Sequence, residues 1–145
     1  MFLELRVRIV SASLQKHPNT PEPMSTVAIL KVRNVKYRTQ VAINRGLSPS
    51  WNEDFIINIS GATYIKVIIK EVKEGTERLI GKAKVQLSQV SHLPETRLSF
   101  PLHYKIFKRH VGEVLLDFEW RPHNEKVALQ AGVTDKVFEK IDRIP

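Results

Sequence analysis

Apolar and polar residues alternate in steps of two along most of this chain, and this pattern constrains its fold more than any other feature. Between positions 3 and 9 every odd residue is aliphatic and every even residue is charged. Successive side chains of a strand point to opposite sides of a sheet, so the pattern predicts a strand with one buried face. Seven later segments repeat it, with inward residues predicted at Ala28, Leu30 and Val32; Tyr37, Thr39, Val41 and Ile43; Phe55, Ile57 and Ile59; Ile65, Val67 and Ile69; Ala83, Val85 and Leu87; Leu98, Phe100 and Leu102; and Val114, Leu116, Phe118 and Trp120.

Eight strands with turn signals between them, and no helical segment long enough for a parallel crossover, predict an all-β fold. We expect an eight-stranded antiparallel Greek-key β-sandwich over residues 1–122. Residues 11–25 contain three prolines and are interpreted as a loop. Residues 123–145 are interpreted as a linker and a short amphipathic helix over about Thr134–Arg143 that leads to a further domain or a partner.

Composition narrows the class of protein. The chain has 145 residues, no cysteine and a formal net charge of +8, which suits an anionic partner. The N-terminus lacks the apolar run of a signal peptide, and no apolar stretch approaches the ~20 residues that span a bilayer. These features predict a cytoplasmic protein that associates peripherally with membranes.

The segment Leu47-Ser48-Pro49-Ser50-Trp51-Asn52-Glu53-Asp54-Phe55 carries the clearest structural signals. Pro49 lacks an amide hydrogen and is expected just outside a strand. The Trp51 ring is expected to seal one end of the sandwich, with its N–H hydrogen-bonded. Asn52 is expected to hold the turn by bonding to nearby backbone.

Five fragments in order resemble the C2 domain family: residues 5–14, Ile29-Leu30-Lys31-Val32, the Trp51 segment, Leu79-Ile80-Gly81-Lys82-Ala83 and Gly112-Glu113-Val114-Leu115-Leu116. The resemblance covers residues 2–121 and is to the strand order of phospholipases and novel protein kinases C. It implies that four loops gather at one end, at about 13–25, 44–51, 71–79 and 104–111. It also implies that the second and third strands lie on a concave face.

The resemblance implies a calcium site built from loop aspartates, but the chain has only four aspartates, namely Asp54, Asp117, Asp135 and Asp142. Calcium takes six to eight oxygen ligands, mostly from carboxylates. The third loop has Glu71, Glu74 and Glu77 among Lys70, Lys73 and Arg78. We therefore expect no calcium, no other metal and no cofactor.

No catalytic signature stands out. The five histidines include no i, i+4 pair for a metal, and no Gly-rich phosphate loop or Gly-x-Ser-x-Gly elbow occurs. The chain is therefore expected not to be an enzyme.

Basic residues alternate on the second and third strands and are expected to cluster across a hairpin with a turn at about Asn34-Val35. The predicted lipid-binding residues are Lys31, Arg33, Lys36 and Arg38, with a second foothold from Lys105, Lys108 and Arg109. In the family that it resembles, this position holds a lysine-rich cluster that binds phosphoinositide. The sequence thus predicts calcium-independent docking on phosphatidylserine or phosphoinositide.

Two other functions stay open at this point. One is a protein-interaction or scaffold module with no direct lipid binding, whose C-terminal helix docks on a partner. Nucleic acid is the weaker expectation, because no solvent-facing aromatic residue is expected among the basic residues. Deep membrane insertion is not expected either, because Met24 and Leu47 are the only sizeable apolar residues predicted at the loop tips.

Overall fold

A computed structural model describes residues 2–15, 23–90, 92, 95–105 and 109–122. Within these ranges the chain forms eight β-strands and one short 3-10 helix at Leu87–Gln89. The strands are β1 (Phe2–Leu14), β2 (Thr26–Val32), β3 (Val35–Arg38), β4 (Ser50–Asn58), β5 (Tyr64–Lys73), β6 (Thr76–Gln86), β7 (Thr96–Tyr104) and β8 (Arg109–Pro122). The predicted linker and helix over residues 123–145 lie outside the described residues.

The strands follow the order β3-β2-β5-β6-β7-β8-β1-β4, and every pairing is antiparallel. Pairing between strands that are distant in sequence, such as β1 with β8 and β2 with β5, gives the Greek-key connections. A single registered pair, Lys82 with His103, joins β6 to β7. Pro101, two residues before His103, has no amide hydrogen with which to extend that ladder. We divide the continuous eight-stranded order at this single pair and call β3-β2-β5-β6 the first sheet and β7-β8-β1-β4 the second sheet.

The core lies between the two sheets and contains most of the residues that the alternation predicted to face inward. Leu5, Val7 and Ile9 of β1 are fully buried, as are Leu116 and Phe118 of β8. Burying one such side chain contributes about 1.5–3 kcal/mol relative to its exposure. The all-β sandwich predicted from the sequence is confirmed.

The predicted loop at residues 11–25 begins too early. β1 continues to Leu14, which pairs with Gly112 of β8. Met24 is also not at a loop tip, because its side chain is buried in the core cluster. Leu47 is half-buried against the same cluster.

The third strand is shorter than predicted. β3 ends at Arg38, and Thr39 turns inward, where its Oγ1 accepts a hydrogen bond of 3.0 Å from the N–H of Ala28. Ala42 then forms a bridge to Thr26 and is buried. Because Ala42 takes the inward position, the expected inward orientation of Ile43 is wrong: its side chain is 69% exposed. Val41 is only half-buried.

The Trp51 segment adopts the predicted arrangement at Trp51 and Pro49 but not at Asn52. The buried Trp51 ring packs in the core cluster, and its Nε1–H donates to the carbonyl of Thr26 at 3.2 Å. Pro49 lies just outside β4, and its carbonyl accepts from the N–H of Ala12 at 3.0 Å. The Asn52 amide bonds the Ser50 hydroxyl at 3.0 Å rather than the predicted backbone group. These contacts connect the start of β4 to β1 and β2.

Candidate functional site: the basic face of the first sheet

Four lysines lie side by side across the first sheet, one on each strand. Lys31 of β2 pairs directly with Lys36 of β3 and with Lys66 of β5, and Lys66 pairs with Lys84 of β6. Directly paired residues project from the same side of a sheet, and neighbouring strands are about 4.8 Å apart. We call these four residues the lysine row. It lies on the outer face, because Leu30, Val67 and Ala83 beside it point into the core.

None of the ion pairs between described residues connects the lysine row to a carboxylate. Lys36 and Lys84 are exposed, while Lys31 and Lys66 are half-buried. Like charges directly opposite one another on neighbouring strands destabilise a sheet. The lysine row is therefore a concentrated positive charge without a described partner inside the domain.

Tyr64 adds an aromatic ring beside the lysine row. Its ring centroid is 4.3 Å from Nζ of Lys84 and 5.8 Å from Nζ of Lys66. The side chain is 39% exposed. The expectation that no solvent-facing aromatic residue stands among the basic residues is thus wrong, because the start of β5 brings Tyr64 next to two lysines.

The outer face of the second sheet carries charge in the opposite manner. Asp54, Arg8, Asp117 and Arg97 form a row of alternating sign across β4, β1, β8 and β7. The guanidinium of Arg8 bonds Asp54 at 2.9 and 3.0 Å, and that of Arg97 bonds Asp117 at 2.6 and 2.8 Å. These hydrogen bonds lower the pKa of each aspartate. The arginines of this row are thus paired internally, whereas the lysine row is not.

The structure brings together three of the four hairpin cations predicted from the sequence. Lys31 and Lys36 pair across β2 and β3, and Arg38 follows Lys36 on the same outer face. Arg38 donates hydrogen bonds to the carboxylate of Glu77, and the Nη1 atom of Arg38 lies 3.3 Å from Oε1 of Glu77. This hydrogen bond lowers the pKa of Glu77.

Arg33 is not an outward strand residue as predicted. The hairpin turn consists of Arg33 and Asn34 rather than Asn34 and Val35, because Val32 pairs with Val35. Arg33 has a positive φ of 52°, which is a turn conformation, and its guanidinium donates to the carbonyl of Ser60. It therefore lies at the end of the sheet, beside the lysine row rather than in it.

The second predicted foothold lies at the β7–β8 hairpin. Lys105 Nζ lies 5.0 Å from the Tyr104 ring centroid, and Arg109 Cζ lies 5.2 Å from it. Lys108 is outside the described residues. Lys82, two residues before Lys84 on β6, pairs with His103 of β7. Basic side chains thus continue from the lysine row towards this hairpin.

Two of the three glutamates of the β5–β6 hairpin, Glu71 and Glu77, form ion pairs with cations of this domain. Arg78 donates to Glu71 at 2.7 and 2.9 Å, and Glu77 bonds Arg38 and lies 3.9 Å from Lys70 Nζ. In the described part of the chain, no three histidine, aspartate or glutamate residues come together as a group suited to a metal ion. The described residues also include no helix long and apolar enough to cross a membrane.

Lys66 and Lys84 were missed by reasoning from the sequence. Their outward orientation was available, because each stands between two inward residues of its strand. Their alignment with Lys31 was not, because it depends on the register of β2 with β5 and of β5 with β6. Strands that are not joined by a short hairpin acquire their register from the packing of the whole sandwich.

The arrangement of eight antiparallel strands corresponds to a known family. The C2 domain family model matches residues 3–102. This chain belongs to the C2 domain family. The matched range includes the Trp51 segment and the Gly81 strand, in which the sequence resembles this family.

Three comparisons illustrate the range of related proteins. Elicitor-responsive protein 3 of Oryza sativa subsp. japonica is 24% identical over 129 residues, which are 84% of this chain and 85% of that protein. The "Probable Ras GTPase-activating-like protein ngap" of Dictyostelium discoideum is 28% identical over 121 residues, which are 81% of this chain but only 13% of that protein. A C2 domain of plant Extended Synaptotagmin 1 has a TM-score of 0.72 at 14% identity and covers 85% of this chain and 97% of that structure, which shows a shared fold.

Proposed function

We propose that this C2 domain docks on anionic membrane lipid, phosphatidylserine or phosphoinositide, through the basic outer face of the first sheet. The lysine row forms the centre of the contact, with Arg33 and Arg38 at its edge. Lys105, Lys108 and Arg109 provide a second foothold. In this proposal the domain is a non-catalytic cytoplasmic module that associates peripherally with membranes.

The observation that carries the proposal is the difference between the two outer faces. Arg8 and Arg97 on the second sheet each bind an aspartate in bidentate geometry. The lysine row has four cations in register and no described carboxylate partner. An anionic ligand would relieve the repulsion within this row, which supports binding of an anionic surface there.

The expected affinity is moderate. Each lysine near an anionic membrane surface contributes about 1 kcal/mol, so the lysine row alone provides about 4 kcal/mol, close to a millimolar dissociation constant. The cations at its edge and in the second foothold then strengthen the contact. Exposed charges are screened over about 8 Å at physiological ionic strength, so binding should weaken steeply with salt.

A pair of charge-matched variants tests the position of the site. Lys31→Glu/Lys66→Glu disrupts the lysine row, and Arg45→Glu/Lys73→Glu changes exposed cations outside it. Each substitution removes two units of charge, so both variants move the formal net charge from +8 to +4. In sedimentation with phosphatidylcholine vesicles containing phosphatidylserine or phosphoinositide, the first variant should lose binding and the second should retain most of it.

Equal loss in both variants would mean that net charge, rather than the lysine row, causes binding. Wild-type protein that ignores anionic vesicles at low salt would overturn the proposal. An acidic protein would then be the favoured partner of the basic face. Titration with single-stranded RNA would separately test whether a base stacks on the Tyr64 ring.

Calcium independence is part of the proposal. It is supported by the ion pairs of Glu71 with Arg78 and of Glu77 with Arg38, since these carboxylates already have cationic partners. Vesicle binding should be the same with calcium and with a chelator. A chelator-reversible increase in binding would contradict this part of the proposal.

A further inference from the structure

Glu77 forms ion pairs with two cations of the proposed membrane-binding face. Its carboxylate bonds the guanidinium of Arg38 through both oxygens and also lies 3.9 Å from Lys70 Nζ. Arg38 belongs to β3 and Glu77 to β6, at opposite edges of the first sheet. Three strand spacings, about 14 Å, separate these strands. The contact therefore requires the β5–β6 hairpin to bend across the outer face.

The register of β5 with β6 explains this bend. It shifts between Ile69 and Lys70, the irregularity produced by a β-bulge. A bulge bends its strand and increases the local twist. Val27, which pairs with Lys70 on the same outer face, is fully buried, so this part of the face is covered. The bend therefore places the Glu77 carboxylate next to both Lys70 and Arg38.

We propose that Glu77 is an internal substitute for the lipid headgroup, which withholds Arg38 and Lys70 from the membrane and so sets affinity and headgroup preference. This inference rests on the proposed function. The lysine row remains open to any anion, whereas Arg38 and Lys70 engage a headgroup only when Glu77 is displaced. Arg38 and Glu77 are 45% and 32% exposed, and such surface pairs are weak enough to exchange.

The two classes of lipid should respond differently to loss of this contact. A phosphate monoester carries a charge of about −1.5 to −2 and three acceptor oxygens, so it competes with a carboxylate for Arg38. A phosphoinositide therefore displaces Glu77 in the wild type and gives up the energy of the Arg38–Glu77 pair to do so. Phosphatidylserine leaves the pair intact. Removing the Glu77 charge should consequently strengthen phosphoinositide binding more than phosphatidylserine binding.

Glu77→Gln tests this inference against Glu74→Gln. Both variants remove one negative charge from the same hairpin, and Glu74 belongs to none of the ion pairs between described residues. Relative to Glu74→Gln, Glu77→Gln should bind phosphoinositide vesicles about two- to fivefold more tightly, because the surface ion pair with Arg38 no longer has to be broken, and the gain for phosphatidylserine vesicles should be smaller. In an Arg38→Gln/Lys70→Gln background, Glu77→Gln should give no advantage over Glu74→Gln.

The outcomes separate this inference from the proposed function. If wild-type protein binds vesicles but Glu77→Gln and Glu74→Gln behave alike, the role of Glu77 is overturned and membrane docking stands. If the gain persists without Arg38 and Lys70, the inference is overturned as well. If neither wild-type protein nor Glu77→Gln binds at low salt, both the docking function and the role of Glu77 are overturned.

Discussion

Lys31 is repelled from both sides, because its partners on the neighbouring strands are Lys36 and Lys66. Replacing Lys31 by Glu turns two repulsive cross-strand pairs into two attractive ones. We expect the free energy of unfolding to rise by about 1 kcal/mol, measured by urea denaturation. If the proposed function holds, the same substitution should also weaken vesicle binding.

Lys73→Glu is the control for this prediction, since it changes the net charge equally but lies outside the lysine row. It should leave stability within about 0.5 kcal/mol of the wild type. A Lys31→Glu variant less stable than Lys73→Glu would show that repulsion within the row is negligible.

Asp54 makes stability depend on pH. Hydrogen bonds from Arg8 and then Arg6 lower its folded-state pKa. A carboxylate with a lowered folded-state pKa stabilises the protein above its unfolded pKa, and this contribution is lost as pH falls through the folded-state value. With its side chain 40% exposed, Asp54 should contribute about 0.5–1 kcal/mol at neutral pH.

Asp54→Asn should therefore be less stable than wild type at pH 7, and the difference should shrink below about pH 4. Urea denaturation midpoints of the wild type and Asp54→Asn, measured from neutral to acidic pH, test this stability difference, with Glu74→Gln as the control. A difference that stays constant over the whole range would contradict an ionic origin.

At the scale of single elements, β8 depends on Gly112. This residue has a φ of 145° and pairs with Leu14 of β1 and Leu102 of β7. A Cβ there would lie 2.2 Å from the Ser13 carbonyl oxygen and 2.9 Å from Leu14 Cα, so backbone would have to move. Gly112→Ala should lower the free energy of unfolding by about 2–4 kcal/mol.

Gly75→Ala is the control that distinguishes the steric effect of an added Cβ from the cost of a positive φ. Gly75 also has a positive φ, of 80°, but a Cβ there would meet nothing within 4 Å. Its replacement should therefore cost only about 1 kcal/mol in urea denaturation, from the φ value alone. Equal losses at the two glycines would mean that the contact with Ser13 is relieved without strain.

At the scale of the whole molecule, the first and last strands, β1 and β8, pair along most of their length. Both strands also contribute side chains to the core cluster, among them Leu5 and Phe118. All eight strands are thus complete by Pro122. We expect a fragment of residues 1–122 to unfold cooperatively, with a thermal midpoint close to that of the full chain when followed by circular dichroism. An insoluble fragment, or one that unfolds without cooperativity, would show that residues 123–145 complete the core.

The sequence by itself determined the strands, their buried faces and the place of the Trp51 segment. Alternation in steps of two is a local property, and a hairpin with a short turn is local too, so Lys31 and Lys36 were predicted to be neighbours. Where a tertiary hydrogen bond and a bridge reset the alternation, at Thr39 and Ala42, the same reasoning placed Ile43 on the wrong side.

Only the tertiary structure decided the composition of the basic face. Lys66 and Lys84 join Lys31 through the register of strands distant in sequence, which follows from packing the two sheets around one core. Glu77 reaches Arg38 because the β5–β6 hairpin bends at a register shift, and the residue pattern did not predict this shift. Side-chain orientation follows from local alternation, but the meeting of charges across strands depends on the register of the complete sandwich.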